Sequence, residues 1–437
     1  MKKDSALTSG HEENLSVSTD IKLAERSSRY GWVVLGACVV VVAVTFGTRY
    51  SFGVFFKPLE TDFGWSRAVT SGVFSVYMAI CLFMAPLGGW LGDRYGPKVI
   101  AVMGGVTGIG LLLTSQATSL WYLFVSYGLL LAVGTGGTWS IAMATATKWS
   151  PQKRGLAAGI VNSGTGIGTM IMTPLSAYLI ASYNWRSSFI VLALLAICTI
   201  IPGGLLLKRA PAERTTSPAL EQSGATRRRV ATKQLRTELE GFSLSQATKT
   251  RSFWFLFLTS LLYAICVSIV MAHIVPHAID MGVNPLRASM LLSFVGGTTI
   301  AGNMAMGKLA DSMGRKRTAV FCALVMAAAM VWLTQSTSPW MLYLFAIVFG
   351  FVYGGLTPPL SALLGDIFGL RHFGSLIGAR TAAWAIGFAF GPALAGYIFD
   401  ITTSYHLAFI ICIILSVLAL VLSFVLWRSR KNIAVSG

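Results

Sequence analysis

Charge is what this chain most lacks. Of its 437 residues only 11% are Asp, Glu, Lys or Arg and 54% are apolar, with a mean hydropathy of +0.69. A soluble chain carries roughly a quarter charged residues, so a water-soluble globular domain is excluded. Cysteine is sparse as well. Cys38, Cys81, Cys198, Cys266, Cys322 and Cys412 all fall in apolar stretches without paired spacing. That argues against a disulfide framework or a metal site and for small embedded side chains. No GxxxxGK[ST] motif is present. "GVTGIG" (105–110) and "SGTGIG" (163–168) have a G-x-G spacing but lie inside apolar helices, where glycines serve packing rather than nucleotide phosphates. Without clustered Ser/His/Asp or a metal set, no enzyme chemistry and no cofactor are expected. The first 31 residues are polar and lack an apolar core before a small-residue cleavage site, so they read as a cytosolic tail rather than a signal peptide.

Apolar runs of 18 or more residues recur instead, each long enough to cross a bilayer of about 30 Å as a helix. Twelve spans are expected, near 32–56, 68–91, 99–115, 121–145, 155–181, 187–207, 251–275, 288–309, 318–335, 340–364, 374–399 and 406–427. With this division the tails and the loops on their side hold 28 Lys/Arg, and the opposite side holds Lys57, Arg67, Arg186 and Arg287. By the positive-inside rule both termini are cytoplasmic. The net charge of +18 is therefore a topology signal rather than a nucleic-acid footprint. A multi-pass protein of the cytoplasmic (inner) membrane, monomeric in its bilayer, is expected.

The chain repeats itself. "GGWLGDRYGPK" (88–98) returns as "MGKLADSMGRK" (306–316), "RGLAAGIVNSGTGIG" (154–168) is echoed by "FGSLIGARTAAWAIG" (373–387), and "YLFVSYG" (122–128) by "YLFAIVFG" (343–350). The division is a tail (1–31), a six-helix half (32–207), a linker (208–250), a second six-helix half (251–428) and a C-terminal tail (429–437). "RRR" (227–229) in the linker is a solvated stretch or a contact for anionic lipid.

The repeated G-x-L-[GA]-D-x-x-G-[RP]-K resembles the signature loop of the major facilitator superfamily, which occurs twice, between helices 2–3 and 8–9. The resemblance implies an all-α membrane protein of twelve transmembrane helices in two pseudo-symmetric halves, a secondary transporter working by alternating access. Gly89, Asp93, Arg94, Gly307, Asp311 and Arg315 are the gating residues it implies. The glycines would allow close helix contact, and Asp93 and Asp311 would cap a helix N-terminus of the other half. "YGWVVLGACVVVVAVTFGTRYSFGVFFKPLETDFGWSRA", "GFSLSQATKTRSFWFLF" and "HIVPHAIDMG" are similar to bacterial members of the monocarboxylate and oxalate–formate branch.

All sixteen acidic residues lie in tails, loops or span ends, whereas two span interiors contain an arginine, Arg49 and Arg380. A charge at mid-membrane costs on the order of 2.5–3.5 kcal/mol and usually lines an aqueous path or pairs with something. With no acidic partner in any span, the expected counter-ion is a small organic anion, a mono- or dicarboxylate that a planar guanidinium grips with paired hydrogen bonds. Snorkelling to the headgroups is the alternative. Trp384, Gly387 and Gly391 share the helical stripe of Arg380 and argue for helix contact there. Arg49 shares a face with Thr45 and Gly53.

The resemblance implies an arginine in helix 8, where Asn303 stands here, and a lysine in helix 11 near Arg380. Thr298 and Thr299 stand in helix 8 where proton-linked carriers have carboxylates. Those departures favour anion exchange over proton-coupled monocarboxylate symport. Tyr77, Tyr127, Asn162, Tyr263, Asn303 and Tyr353 are ligand contacts or interhelical hydrogen-bonding groups. His273 is a proton-coupling site or a structural histidine. An exporter of amphipathic compounds and a transporter-like sensor are the remaining alternatives.

Overall fold

The computed structural model describes residues 4–150, 154–209, 242–369 and 373–428, and their side chains over 30–150, 156–209, 242–310, 312–369 and 376–425. The "RRR" stretch and the Asp311 side chain lie outside the described residues. Twelve long helices follow one another: α1 (Asp4–Phe63), α2 (Arg67–Tyr95), α3 (Val99–Ser115), α4 (Leu120–Trp149), α5 (Arg154–Ser182), α6 (Trp185–Leu206), α7 (Arg251–Asp280), α8 (Pro285–Met313), α9 (Arg315–Thr334), α10 (Pro339–Phe368), α11 (Phe373–Thr402) and α12 (His406–Arg428). Helix α4 widens to π geometry over Phe124–Leu131, a deformation that tends to mark functional sites.

Several helices outrun the apolar stretches that announce them. The first span was expected to end near 56, yet α1 continues to Phe63, and α7 continues to Asp280 rather than 275. α1 and α7 run on to glycines at positive φ, Gly64 and Gly282, and polar N-caps begin the helices. Ser66 Oγ accepts from Val69 N, Asn184 Oδ1 from Ser187 N at 2.7 Å and Thr250 Oγ1 from Phe253 N, while Asn284 precedes Pro285 at the first helical position.

Among the described residues nine helices are long and apolar enough to cross a membrane by themselves. Helix α3 has only 17 residues, and α5 and α8 fall outside the set because glycine, serine and threonine replace large apolar residues along them. The packing supplies the reason: α5 and α8 lie against each other. Within each set of six the same pairings recur. α1 packs on α5 as α7 does on α11, α2 on α4 as α8 on α10, and α3 on α6 as α9 on α12, while α2–α11 and α5–α8 join the two sets. A duplicated sequence has produced a duplicated packing scheme.

The joints rest on small residues. A Cβ on Gly166 would lie 2.4 Å from the carbonyl oxygen of Gly296, and one on Gly296 would lie 2.6 Å from that of Gly166. Only glycine lets these backbones meet. Toward the end of the bundle away from the termini, here the far side, Thr173 Oγ1 and Ser293 Oγ approach to 3.4 Å. On the α2–α11 joint Ala393 N donates to Ser75 Oγ at 3.2 Å. The inter-half contacts gather from mid-helix to the far side, so the bundle is sealed there. A Thr173→Cys/Ser293→Cys pair should therefore form a disulfide on mild oxidation, seen as a retained link between the halves after the linker is cut. Separate fragments would show that α5 and α8 do not meet at that level.

Candidate functional site

Helix α1 places Arg49 and Tyr50 at consecutive positions, so their side chains diverge. Arg49 turns to its own half. Its Nε donates to Tyr77 Oη of α2 at 3.2 Å, its Nη2 points to Cys81 Sγ at 3.7 Å, and its guanidinium lies 4.4 Å above the centre of the Phe46 ring. Thr135 Oγ1 already donates to the Leu131 carbonyl at 2.8 Å, so the 2.7 Å contact between Tyr77 and Thr135 has the tyrosine as donor. A directed chain thus runs from Arg49 through Tyr77 and Thr135 to the α4 backbone, at the end of its π-helical segment. Cys81, expected to be an embedded apolar side chain, is part of that setting.

Tyr50 turns to the other half, and its hydroxyl meets that of Tyr353 on α10 at 3.1 Å. A small recess beneath this pair is lined by Thr165, Gly166 and Thr169 of α5, Met271 of α7, and Val295, Gly296 and Thr299 of α8. The threonine hydroxyls donate inward to helix carbonyls: Thr165 to Asn162, Thr169 to Thr165, and Thr299 to Val295 and Gly350. The recess therefore shows methyl groups and oxygen lone pairs.

From Tyr353 the path continues to Trp384 on α11, with ring centroids 6.1 Å apart. Arg380 sits one turn from Trp384 on the same helical face. It is 9% exposed, and its Nε and Nη1, like Trp384 Nε1, are buried with no hydrogen-bond partner among the described residues. The glycines of its stripe do mark helix contact: a Cβ on Gly387 would strike Ala264, and one on Gly391 would strike Ser268, both on α7. Neither Arg380 nor Arg49 forms an ion pair among the described residues.

The other anticipated residues divide. Asn162 lies one turn from Gly166 on the α5 stripe that faces α8, and Asn303, half-buried, donates Nδ2 to the Thr299 carbonyl at 3.2 Å. Tyr127 is buried behind Tyr77, its ring 5.5 Å away, with a hydroxyl that has no partner among the described residues. Tyr263 is fully buried one turn from Cys266, whose thiol faces Cys412 and Ser416, so it shares the side of α7 that packs on α12 rather than the recess. His273 lies away from the recess too, buried toward the far side, with Nε2 2.9 Å from the Pro392 carbonyl and Nδ1 3.0 Å from Tyr405 Oη. A carbonyl only accepts, so Nε2 carries the proton and Nδ1 accepts from the tyrosine.

The signature loops behave otherwise than expected. Asp93 pairs with Lys148 of its own half at 2.7 Å, both exposed, and Arg315 donates to Asp366 and to the Ala362 carbonyl. Arg94 lies over Trp90 and Tyr95. A Cβ on Gly89 or Gly307 would meet open space, whereas Gly88 presses against Gly137. Among the described residues Asp93 makes no inter-half helix cap; one is made on the far side, where Asp400 of α11 accepts from Arg67 N and Ala68 N, both at 2.8 Å.

The largest surprise is Arg67, expected as a loop charge but 3% exposed. Its guanidinium binds Asp280 at 2.6 and 3.0 Å, Glu60 at 3.1 Å and Tyr405 Oη at 2.8 Å, and lies 3.6 Å over Phe399. A signal was present in the sequence. The four far-side cations face four far-side acids, Glu60, Asp62, Asp280 and Asp400, a balance that the terminal side lacks.

A family model described as Major Facilitator Superfamily matches residues 38–299 and 256–436. Monocarboxylate transporter 12 of Xenopus laevis is 27% identical over 429 residues, covering 92% of this chain and 90% of its own. Human Monocarboxylate transporter 2 is 24% identical over 399 residues, covering 88% and 82%. A D-xylose–proton symporter structure superposes with a TM-score of 0.72 at 15% identity, over 90% of this chain and 97% of its own. A bacterial homologue of the human lysosomal transporter Spinster, in an inward-facing and occupied conformation, gives 0.73 at 16% identity, over 92% and 97%. At such identities the solved structures bear on the fold alone. A repeated signature loop, a duplicated twelve-helix packing scheme and relatives matched along nearly their whole length thus converge: the chain belongs to the Major Facilitator Superfamily, as a membrane transporter homologous to its monocarboxylate transporters and not an enzyme.

Proposed function

We propose that the protein moves a small monocarboxylate across the membrane by alternating access and favours exchange of one anion for another. The observation that carries this is the trio of buried, unpartnered donors on one face of α11: Arg380 Nε, Arg380 Nη1 and Trp384 Nε1. A buried donor without an acceptor costs about 1–3 kcal/mol, and more when charged. A carboxylate supplies the negative charge and the acceptor oxygens such donors need, and can fork onto Nη2 together with either Nε or Nη1, which lie on opposite edges of the guanidinium. The names of the relatives, monocarboxylate transporters 12 and 2, support the same substrate class.

One carboxylate fits better than two. Arg49 is the other intramembrane cation, and it already donates to Tyr77 and rests on Phe46. The recess between α5 and α8 offers methyl groups and lone pairs, which suit a short uncharged tail or a hydroxyl and repel a second carboxylate. In this reading Arg380 and Trp384 grip the carboxylate, Arg49 adds a positive field held in place by Tyr77, and Tyr50 and Tyr353 close over the ligand. Asn162 and Asn303 flank the recess on the side toward the termini. Exchange follows from the charge balance, since an empty cationic cavity is costly to occlude and a return crossing with a second anion is cheaper.

Purified protein in liposomes, assayed with labelled lactate and pyruvate, tests this directly. Arg380→Gln should lower uptake about ten- to hundredfold, the loss of one or two charge-assisted hydrogen bonds, and Arg380→Lys should restore part of it. Unchanged uptake of every accepted anion by Arg380→Gln would refute the assignment. In the wild type, internal unlabelled lactate should accelerate entry of external label at equal pH on both sides. Accumulation driven by a pH gradient alone, without internal anion, would establish proton symport in place of exchange.

A further inference from the structure

Far from the recess, five charged residues from both halves meet at one point. Arg67 opens α2, and its side chain enters the other half, where Asp280 ends α7, Phe399 and Asp400 lie near the end of α11, and Tyr405 precedes α12. Lys57 Nζ reaches Asp280 at 3.0 Å and lies 3.1 Å from Glu60 Oε2, in a geometry that makes an ion pair but no hydrogen bond. The chain of bonds continues past Arg67, because Tyr405 donates to His273 and His273 to the Pro392 carbonyl, and the His273 ring stands against Phe56 of α1.

We propose that Arg67 is the bolt of a far-side gate, and that its withdrawal from Asp280, Tyr405 and Phe399 is an obligatory step in opening the site to that side. Three features distinguish it from an ordinary surface ion pair. Its fork is bidentate on one carboxylate while its Nε holds a second, the arginine itself is buried while its acid partners are about a quarter exposed, and the contacts with Asp280, Tyr405 and Phe399 cross between halves. Asp400 reinforces the bolt from the same direction by capping the first turn of α2. The partners form a closed set, so the bolt has one well-defined engaged position. When the halves part on the far side, Arg67 leaves its acceptors together rather than sliding along a continuum. The inference goes beyond the anion assignment and needs no substrate to test.

Ser75 is covered by Ala393 in the sealed joint, so Ser75→Cys reports gate opening through its rate of reaction with a membrane-impermeant maleimide applied to intact cells, against the parent without it. Arg67→Gln and Asp280→Asn should each raise that rate roughly tenfold or more, as expected for breaking a buried charge pair. Their combination should raise it little further, because both remove one bolt. Tyr405→Phe should give a smaller rise. Thermal unfolding of the purified variants separates gate opening from general loosening, and if Arg67→Gln fails to reach the membrane, Asp280→Asn and Tyr405→Phe carry the same test. Unchanged labelling in folded Asp280→Asn would overturn the proposal, and so would fully additive effects of Arg67→Gln and Asp280→Asn.

Discussion

A guanidinium taken out of water must find acceptors, and this bundle answers that demand in three different ways. Arg67 has four hydrogen bonds to protein acceptors, three of them from the opposite half. Arg49 is met in part, by one phenol, one thiol and the face of Phe46. Arg380 leaves Nε and Nη1 without partners among the described residues. In the proposed reading the degree of satisfaction tracks the role: the best-satisfied cation holds the two halves together, the half-satisfied one shapes a field, and the unsatisfied one awaits a ligand.

The duplicated packing lets these arginines act on one another's surroundings. The halves meet at α2–α11 and α5–α8, pairs that correspond to one another through the repeat. Glycine at the contact points brings backbones together without interlocking large side chains, and such a joint parts with little loss of packed surface. Helix α11 carries Arg380 near its start and Asp400 near its end, about 30 Å apart at 1.5 Å per residue. Pro392 lies between them, so α11 spans the distance from the open donors to the capped first turn of α2 with one hydrogen bond of its ladder missing.

Sequence patterning located the helices well and their ends poorly, for a physical reason. Hydropathy reports residence in hydrocarbon, whereas a helix begins where its first turn is capped, and the N-caps Ser66, Asn184, Thr250 and Asn284 sit outside the apolar runs. The same limit hid the far-side cluster. Asp280 and Asp400 lie 213 and 333 positions from Arg67, and all of these charges, like Glu60, sit near helix ends, where charges are unremarkable. Glycine was legible as a packing residue, yet its register was not: Gly88 rather than Gly89 meets α4, because a shift of one residue turns a side chain by about 100° around the helix.

The sequence alone determined membrane residence, the twelve-helix plan, the internal duplication and the presence of two cations without acidic partners inside the spans. Those properties follow from composition and from spacing along one chain, since hydrocarbon tolerates neither free backbone groups nor casual charge. Tertiary structure decided which cation keeps open donors, that Tyr50 and Tyr353 close over a recess, and that Arg67 ties the two halves together. Each of these depends on which helix faces flank one another across the bundle, a relation between residues hundreds of positions apart.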